Sequence, residues 1–181
     1  YLNEESPSLA ETIYGIGKKL NEAVAYTYNM RAGMLITSLR IPAVYGPGAR
    51  TGARGVNVAA VECALGKSAI LPYPPCEKVC VAHIDDVSEI AAKILLTDNV
   101  NHYVYNIGGH TVSYWQIAAL IRDILPEADV WFNEAGGRTD LPYLIDYTRV
   151  KTEFGFVHRA LRTGYLDVIN SIRKEAGLTP V

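Results

Sequence analysis

The sequence predicts an α/β protein, and three observations carry that prediction. Helical and extended patterns alternate along the 181 residues, capping boxes mark helix starts, and glycine or proline closes the apolar runs. Ser8 with Glu11 three residues on is the first capping box. Leu9, Ile13, Ile16, Leu20 and Val24 then recur at helical spacing as far as Gly33, a C-terminal stop. Met34 to Ile41 is a mostly buried strand closed by Pro42. A glycine-rich loop over 45–52 leads to a helix from Val56 to Leu65 that stops at Gly66. Val79 to Ile84 is a short strand, after which Asp86 and Glu89 form the second capping box. Tyr103 to Ile107 is a strand stopped by Gly108-Gly109, and Ser113 with Gln116 opens a helix that runs to Pro126. Val130 to Phe132 is a last strand and Gly164 to Ala176 a last helix.

Composition narrows the function. A hydrophobic share of 49% with 20% charged residues suits a globular chain that buries a real core. A net charge of -2, with no run of lysine or arginine, argues against nucleic acid and anionic membrane as partners. The sequence has no apolar stretch of membrane-spanning length, and its first residues do not resemble a signal peptide. Cys63, Cys76 and Cys80 are an odd set and point to reduced thiols and a cytoplasmic protein. Cys76, Cys80 and His83 lack the second ligand pair of a zinc site, so no metal is expected.

The chemistry is carried by Tyr14-Gly-Ile-Gly-Lys18, a phenol and an ammonium four residues apart on one helical face. A free tyrosine titrates near 10, and a neighbouring ammonium favours its phenolate, so the pair suits proton transfer to or from a carbonyl or alcohol. The spacing recurs at Tyr147 and Lys151, in a short polar segment among Asp140, Asp146 and Arg149. Spacing alone therefore leaves Tyr14 open between an acid/base and a tyrosine packed on a neighbour. No strand followed by Gly-x-Gly-x-x-Gly and a helix occurs, and the loop with Gly46, Gly48, Gly52 and Gly55 fits a connection better than a phosphate cradle.

Context resolves the ambiguity. Tyr14-x-x-x-Lys18, Leu39-Arg-Ile-Pro-Ala-Val-Tyr-Gly-Pro-Gly48, Val81-Ala-His-Ile-Asp-Asp-Val87 and Val104-Tyr-Asn-Ile-Gly-Gly109 follow one another in order, and Asp146 to Phe156 continues the series. The series resembles the extended short-chain dehydrogenase/reductases, in particular the NAD-dependent epimerase/dehydratases. The resemblance implies a partial Rossmann-like doubly wound parallel sheet with a smaller C-terminal α/β substrate lobe. It further implies Tyr14 as catalytic acid/base, Lys18 on the nicotinamide ribose, Pro42 and Val44 beside the nicotinamide, and NAD or NADP as cofactor. The substrate implied is a sugar or nucleotide sugar, and a homodimer through the Tyr14 helix is the expected assembly. Asp85, Asp86 and His83 match a structural motif of the family.

Departures from the pattern shape the rest. The glycine-rich cofactor loop and a catalytic Ser or Thr precede the tyrosine in that family, whereas only residues 1–13 precede Tyr14. The chain is therefore expected to be the C-terminal part of such a protein, without its dinucleotide-binding half and inactive by itself. Ala43 stands where nucleotide-sugar enzymes usually carry Asn, and Lys78 stands near the place of an arginine that clamps the diphosphate. Arg138 in Gly136-Gly-Arg-Thr-Asp140 resembles an Arg-x-x-Asp element one residue short. Arg50 and Arg54 on the glycine loop either meet an anionic substrate or are solvated surface residues. Ala43 and the missing clamp leave room for a reductase of small aldehydes or ketones, and the short N-terminus for a non-catalytic substrate-lobe or dimerisation module.

Overall fold

A computed structural model describes residues 1–7, 10–48, 55–139 and 141–181, so Ser8, Leu9, Arg50, Arg54 and Asp140 lie outside the described residues. Helix α1 (Ile13–Ala32) begins one turn later than its sequence suggests. Thr12 is extended and its hydroxyl accepts from the Gly15 amide at 3.1 Å, so Thr12 and not Ser8 caps the helix. Gly33, at φ 62°, supplies the left-handed stop.

Strand β1 (Ser38–Arg40) is shorter than the apolar run that contains it. The buried side chain of Asn29 explains why: it bonds both the amide and the carbonyl of Ile36, at 2.7 and 2.8 Å, and so occupies backbone groups that a ladder would use. After Pro42 the chain forms a second strand, β2 (Ala43–Tyr45), which takes in Tyr45 from the expected glycine loop and the two residues before it. Helix α2 (Val56–Ala64) and a short strand β3 (Ala69–Leu71) follow, then β4 (Lys78–His83).

Helix α3 (Ile84–Leu95) corrects the expected cap. His83 is the N-cap, accepting at Nδ1 from the Asp85 amide at 3.2 Å, while the Asp86 carboxylate turns away to Arg159. Strands β5 (Val104–Asn106) and β6 (His110–Ser113) lead into α4 (Tyr114–Ile124), whose Ser113–Gln116 capping box is complete in both directions. Strand β7 (Val130–Phe132), helix α5 (Thr148–Phe154) and helix α6 (Leu161–Glu175) finish the chain.

Strand β1 pairs parallel to β5, β2 parallel to β4, and β3 parallel to β7, while β6 runs antiparallel on β4. Alternation along β1 sends Leu39 toward α3 and α5 and leaves Arg40 on the α1 side, so helices flank this part of the sheet on both faces. The chain is thus an α/β protein with a partial doubly wound sheet. Two hydrophobic cores result. One lies under α2, α4 and α6 around Tyr114, Ile117, Tyr165 and Ile169; the other joins β5, α3 and α5 around Ile90, Tyr105, Ile107 and Phe154.

A polar seam runs where the cores meet. Asp86, 5% exposed, accepts from the Arg159 amide at 3.0 Å and from its Nε at 2.7 Å. The same guanidinium reaches Asp85 and Asp167 through Nη1, each at 3.1 Å. His110 donates to the Arg159 carbonyl at 2.8 Å and His158 to the Ile107 carbonyl at 3.0 Å. Tyr45 stacks on Tyr165 at 4.8 Å and meets His83 edge-on at 5.2 Å. Its hydroxyl, His83 Nε2 and His158 Nδ1 are buried and find no hydrogen-bond partner among the described residues.

Burial pushes the His83 and His158 imidazoles below the ordinary histidine value, and outweighs the pull of Asp86 toward the charged form in both. His158 donates from Nε2, so its Nδ1 presents a lone pair to Asp86 Oδ2 at 3.7 Å, a neutral contact and not an ion pair. A histidine held neutral in the native state binds a proton more readily once unfolded. The stabilisation is full above about pH 6.5 and is lost as pH falls below it toward the depressed native values. Thermal unfolding followed from pH 8 to pH 5 is expected to show Tm falling below about pH 6.5, with His158→Gln flattening part of the slope. A flat wild-type profile contradicts this.

Close approach explains one glycine. A Cβ at Gly164 would stand 2.2 Å from the Tyr45 hydroxyl and 2.9 Å from its ring. Gly→Ala inside a helix ordinarily gains about 1 kcal/mol, but overlap this deep outweighs it. Gly164→Ala is expected to cost a net ~1–2 kcal/mol in urea unfolding. Tyr45→Phe removes the unpartnered hydroxyl, and is expected to be neutral or slightly stabilising and to reduce the Gly164→Ala penalty.

Candidate active site

Helical periodicity puts Tyr14, Lys18 and Glu22 on one face of α1, at i, i+4 and i+8. That face opens on a cleft of about 910 Å³ between α1 and the end of β1, lined also by Arg40, Ile41 and Leu141. Tyr14 is 75% exposed, and Lys18 Nζ stands 5.4 Å from the centroid of its ring. The phenol and ammonium therefore share the mouth of one cleft, with neither buried in a core. Tyr14 is therefore not packed in either core. The second match is different. Tyr147 is partly buried against the core of α3 and α5 and meets His158 edge-on at 5.1 Å, at the N-cap of α5.

Arg40, at the end of β1, is the strongest charged group on the cleft wall. Its Nη2 and Nε donate to the two carboxylate oxygens of Glu22 at 2.6 and 3.0 Å, and its Nη1 donates to the Glu4 carbonyl at 2.9 Å. The hydrogen bond to Glu22 raises the guanidinium's affinity for its proton beyond the ordinary arginine value, against the effect of burial. Glu4 is itself buried, accepting from the Asn106 amide at 2.8 Å, with Arg149 Nε 3.6 Å from its other oxygen. Leu2 forms a parallel bridge with Ile145, so residues 1–7 are laced to β5 and to the stretch before α5. Arg40 and Glu22 were absent from the sequence-based site. Their signal was available: Glu22 continues the Tyr14–Lys18 spacing, and Arg40 precedes Ile41-Pro42.

The other sequence candidates divide. Pro42 follows Ile41 at the cleft wall and is half-buried. Alternation along β2 packs Ala43 against the α2–α4–α6 core and Val44 against the α3–α5 core, and neither lines the Tyr14 cleft. Lys78, exposed at the start of β4, holds Nζ 5.7 Å above the Tyr143 ring. Arg138 is exposed on a loop whose next residue, Thr139, donates its amide to Glu77 at 3.0 Å and its hydroxyl to the Lys78 carbonyl at 3.0 Å. Thr139 thus fastens the Arg138 loop to the backbone of Lys78 and to the Glu77 carboxylate. Leu141, three residues beyond Arg138 and so at most roughly 10 Å of chain away, lines the Tyr14 cleft.

Cys80 is buried, and burial alone pushes its thiol up to about 12, so it is no nucleophile. Among the described residues no three His, Cys, Asp or Glu side chains converge as metal ligands, and no helix is long and apolar enough to cross a membrane.

Comparisons with known proteins give this arrangement a context. The chain is similar in structure to L-threonine 3-dehydrogenase from Trypanosoma brucei, with a TM-score of 0.83 at 19% identity, covering 99% of this chain and 59% of that one. It is also similar to UDP-glucuronic acid 4-epimerase from Bacillus cereus in complex with NAD, with TM-score 0.79, 18% identity and coverage of 96% and 54%. A third likeness is to DesIV, the dTDP-glucose 4,6-dehydratase from Streptomyces venezuelae with NAD bound, at TM-score 0.76, 20% identity and coverage of 97% and 55%. The chain spans less than two thirds of the length of each, and at these identities the likeness is one of fold. No curated protein matches in sequence. The model of the NAD dependent epimerase/dehydratase family, however, matches residues 2–108. With more than half of its residues matched, and with the tyrosine–lysine helix inside the matched region, the chain belongs to the NAD dependent epimerase/dehydratase family.

Proposed function

We propose that this chain is the C-terminal, catalytic-helix and substrate-lobe portion of an NAD(P)-dependent oxidoreductase of the epimerase/dehydratase kind, acting on a sugar or nucleotide-sugar hydroxyl. The observation that carries the reading is the Tyr14–Lys18 pair at the open mouth of the cleft. Bound NAD or NADP would supply or accept the hydride. Tyr14 Oη takes the proton from the substrate hydroxyl as that hydride leaves, or returns it to the carbonyl in the reverse direction. Lys18 would stabilise the phenolate that accepts the proton in the first direction and is left behind in the reverse one, and would bond the nicotinamide ribose. Both side chains are open to solvent and outside the cores, which fits a group arriving from the cleft.

Lys78 and Arg138, both exposed cations, support an anionic substrate tail, since the Arg138 loop leads to Leu141 on the Tyr14 cleft. Lys78 is a point charge without the fork that grips a diphosphate. Ala43 and Lys78 therefore favour a second reading, a reductase or dehydrogenase of small carbonyl compounds and alcohols, in line with the likeness to L-threonine 3-dehydrogenase. Exposed Ile13, Leu20 and Val24 on α1 support a homodimer through that helix, and free thiols at all three cysteines support a cytoplasmic location.

The test is turnover by the complete protein that carries this chain, with NAD and with NADP, on a nucleotide sugar and on a simple secondary alcohol. Tyr14→Phe is expected to lower kcat by about 100-fold or more, with stability unchanged within about 0.5 kcal/mol because the hydroxyl is exposed. Turnover retained by Tyr14→Phe contradicts the assignment. The ratio of rates on the two substrates separates the readings.

A further inference from the structure

The catalytic face of α1 is tied to the sheet by a charged pair two turns beyond Tyr14. Glu22 and Arg40 are both partly buried, and the guanidinium meets the carboxylate as a fork on a fork, at 2.6 and 3.0 Å. Its remaining donor holds the Glu4 carbonyl, and Glu4 in turn holds the Asn106 amide of β5. One arginine therefore joins α1, the N-terminal segment and the sheet at a single point on the cleft wall. The helix needs such a point. Of its residues only Asn29, near the far end, is buried, so α1 is not seated in either core. Tyr26 adds only an edge contact to Tyr103 at 6.3 Å. The Glu22–Arg40 tether lies on the Tyr14–Lys18 face itself, and all four residues line the same cleft.

We propose that Glu22 and Arg40 are positioning residues, which set the height and tilt of α1 over the end of β1 and so fix where Tyr14 and Lys18 stand relative to Ile41. This rests on the reading of Tyr14 given above for its catalytic meaning, but the placement of the helix is a property of the chain itself. Glu22 is about 12 Å from Tyr14 along the helix axis, so loss of the pair reaches Tyr14 by moving the helix and not by contact.

The experiment is fluorine NMR on the chain labelled with 3-fluorotyrosine, its Tyr14 resonance assigned by Tyr14→Phe. Arg40→Gln and Glu22→Gln are expected to displace or broaden the Tyr14 resonance, while Tyr45 and Tyr165, in the other core, keep theirs. Arg40→Lys, which keeps the charge but loses the fork, is expected to shift it part of the way. Should Arg40→Gln fail to fold, Arg40→Lys and Glu22→Gln decide alone. A Tyr14 resonance that stays in place in the folded variants overturns the proposal. So does a shift that appears equally at Tyr45 and Tyr165. Each outcome is independent of turnover, so failure of the catalytic reading, seen in Tyr14→Phe kinetics, remains distinguishable.

Discussion

The fold depends on the ion pair between Asp86 and Arg159. Each core is small, and the elements that build them interleave along the chain, so something must fix one core against the other. Arg159 does this from the link between α5 and α6, binding the first turn of α3 through Asp86 and Asp85 and the second turn of α6 through Asp167. A buried carboxylate left alone is costly, and Arg159 removes that cost by bonding one oxygen of Asp86 through Nε and the other through its backbone amide. The backbone amide of Arg159 adds a bond that no side-chain substitution at 159 removes. Burial disfavours the charged forms of His83 and His158 beside it, so Arg159 and its carboxylate partners carry the charge there.

This construction leaves α1 in an unusual position. Both cores close without it, and its apolar residues Ile13, Ile16, Leu20 and Val24 face outward. A helix of this kind is fixed by polar contacts at chosen points, through Asn29 at one end and Glu22 midway. The consequence for function is an accessible phenol and ammonium on a helix whose placement is set by few groups. The loop that carries Arg138 has the opposite character, because the Thr139 bonds stitch it to Glu77 and to the start of β4.

Much of the fold was legible in the sequence because local rules decided it. Ser113 and Gln116 cap α4 as their spacing requires, and Gly33 stops α1 where the periodicity ends. The failures were tertiary. Asp86 has the residue type and spacing of a cap, yet its carboxylate serves an arginine 73 positions away, and His83 takes the cap instead. The length of β1 was overestimated because Asn29, seven positions back on α1, occupies the backbone of Ile36 through its side chain. Strands β2, β3 and β6 are three or four residues long, too short for a period to register. At the site, Tyr14 and Lys18 were visible from spacing and context. Glu22 lay on the same helical spacing, but its pairing with Arg40 joins residues 18 positions apart on a helix and a strand, which spacing does not reveal.

The account stands or falls on the seam, and a double-mutant cycle on its central pair tests it. Asp86→Asn, Arg159→Gln and the double variant would be compared by urea unfolding at neutral pH. A coupling free energy of about 2 kcal/mol or more is expected, with each single variant strongly destabilised. A coupling under about 0.5 kcal/mol would mean that the two cores hold each other by packing alone and that the pair is incidental.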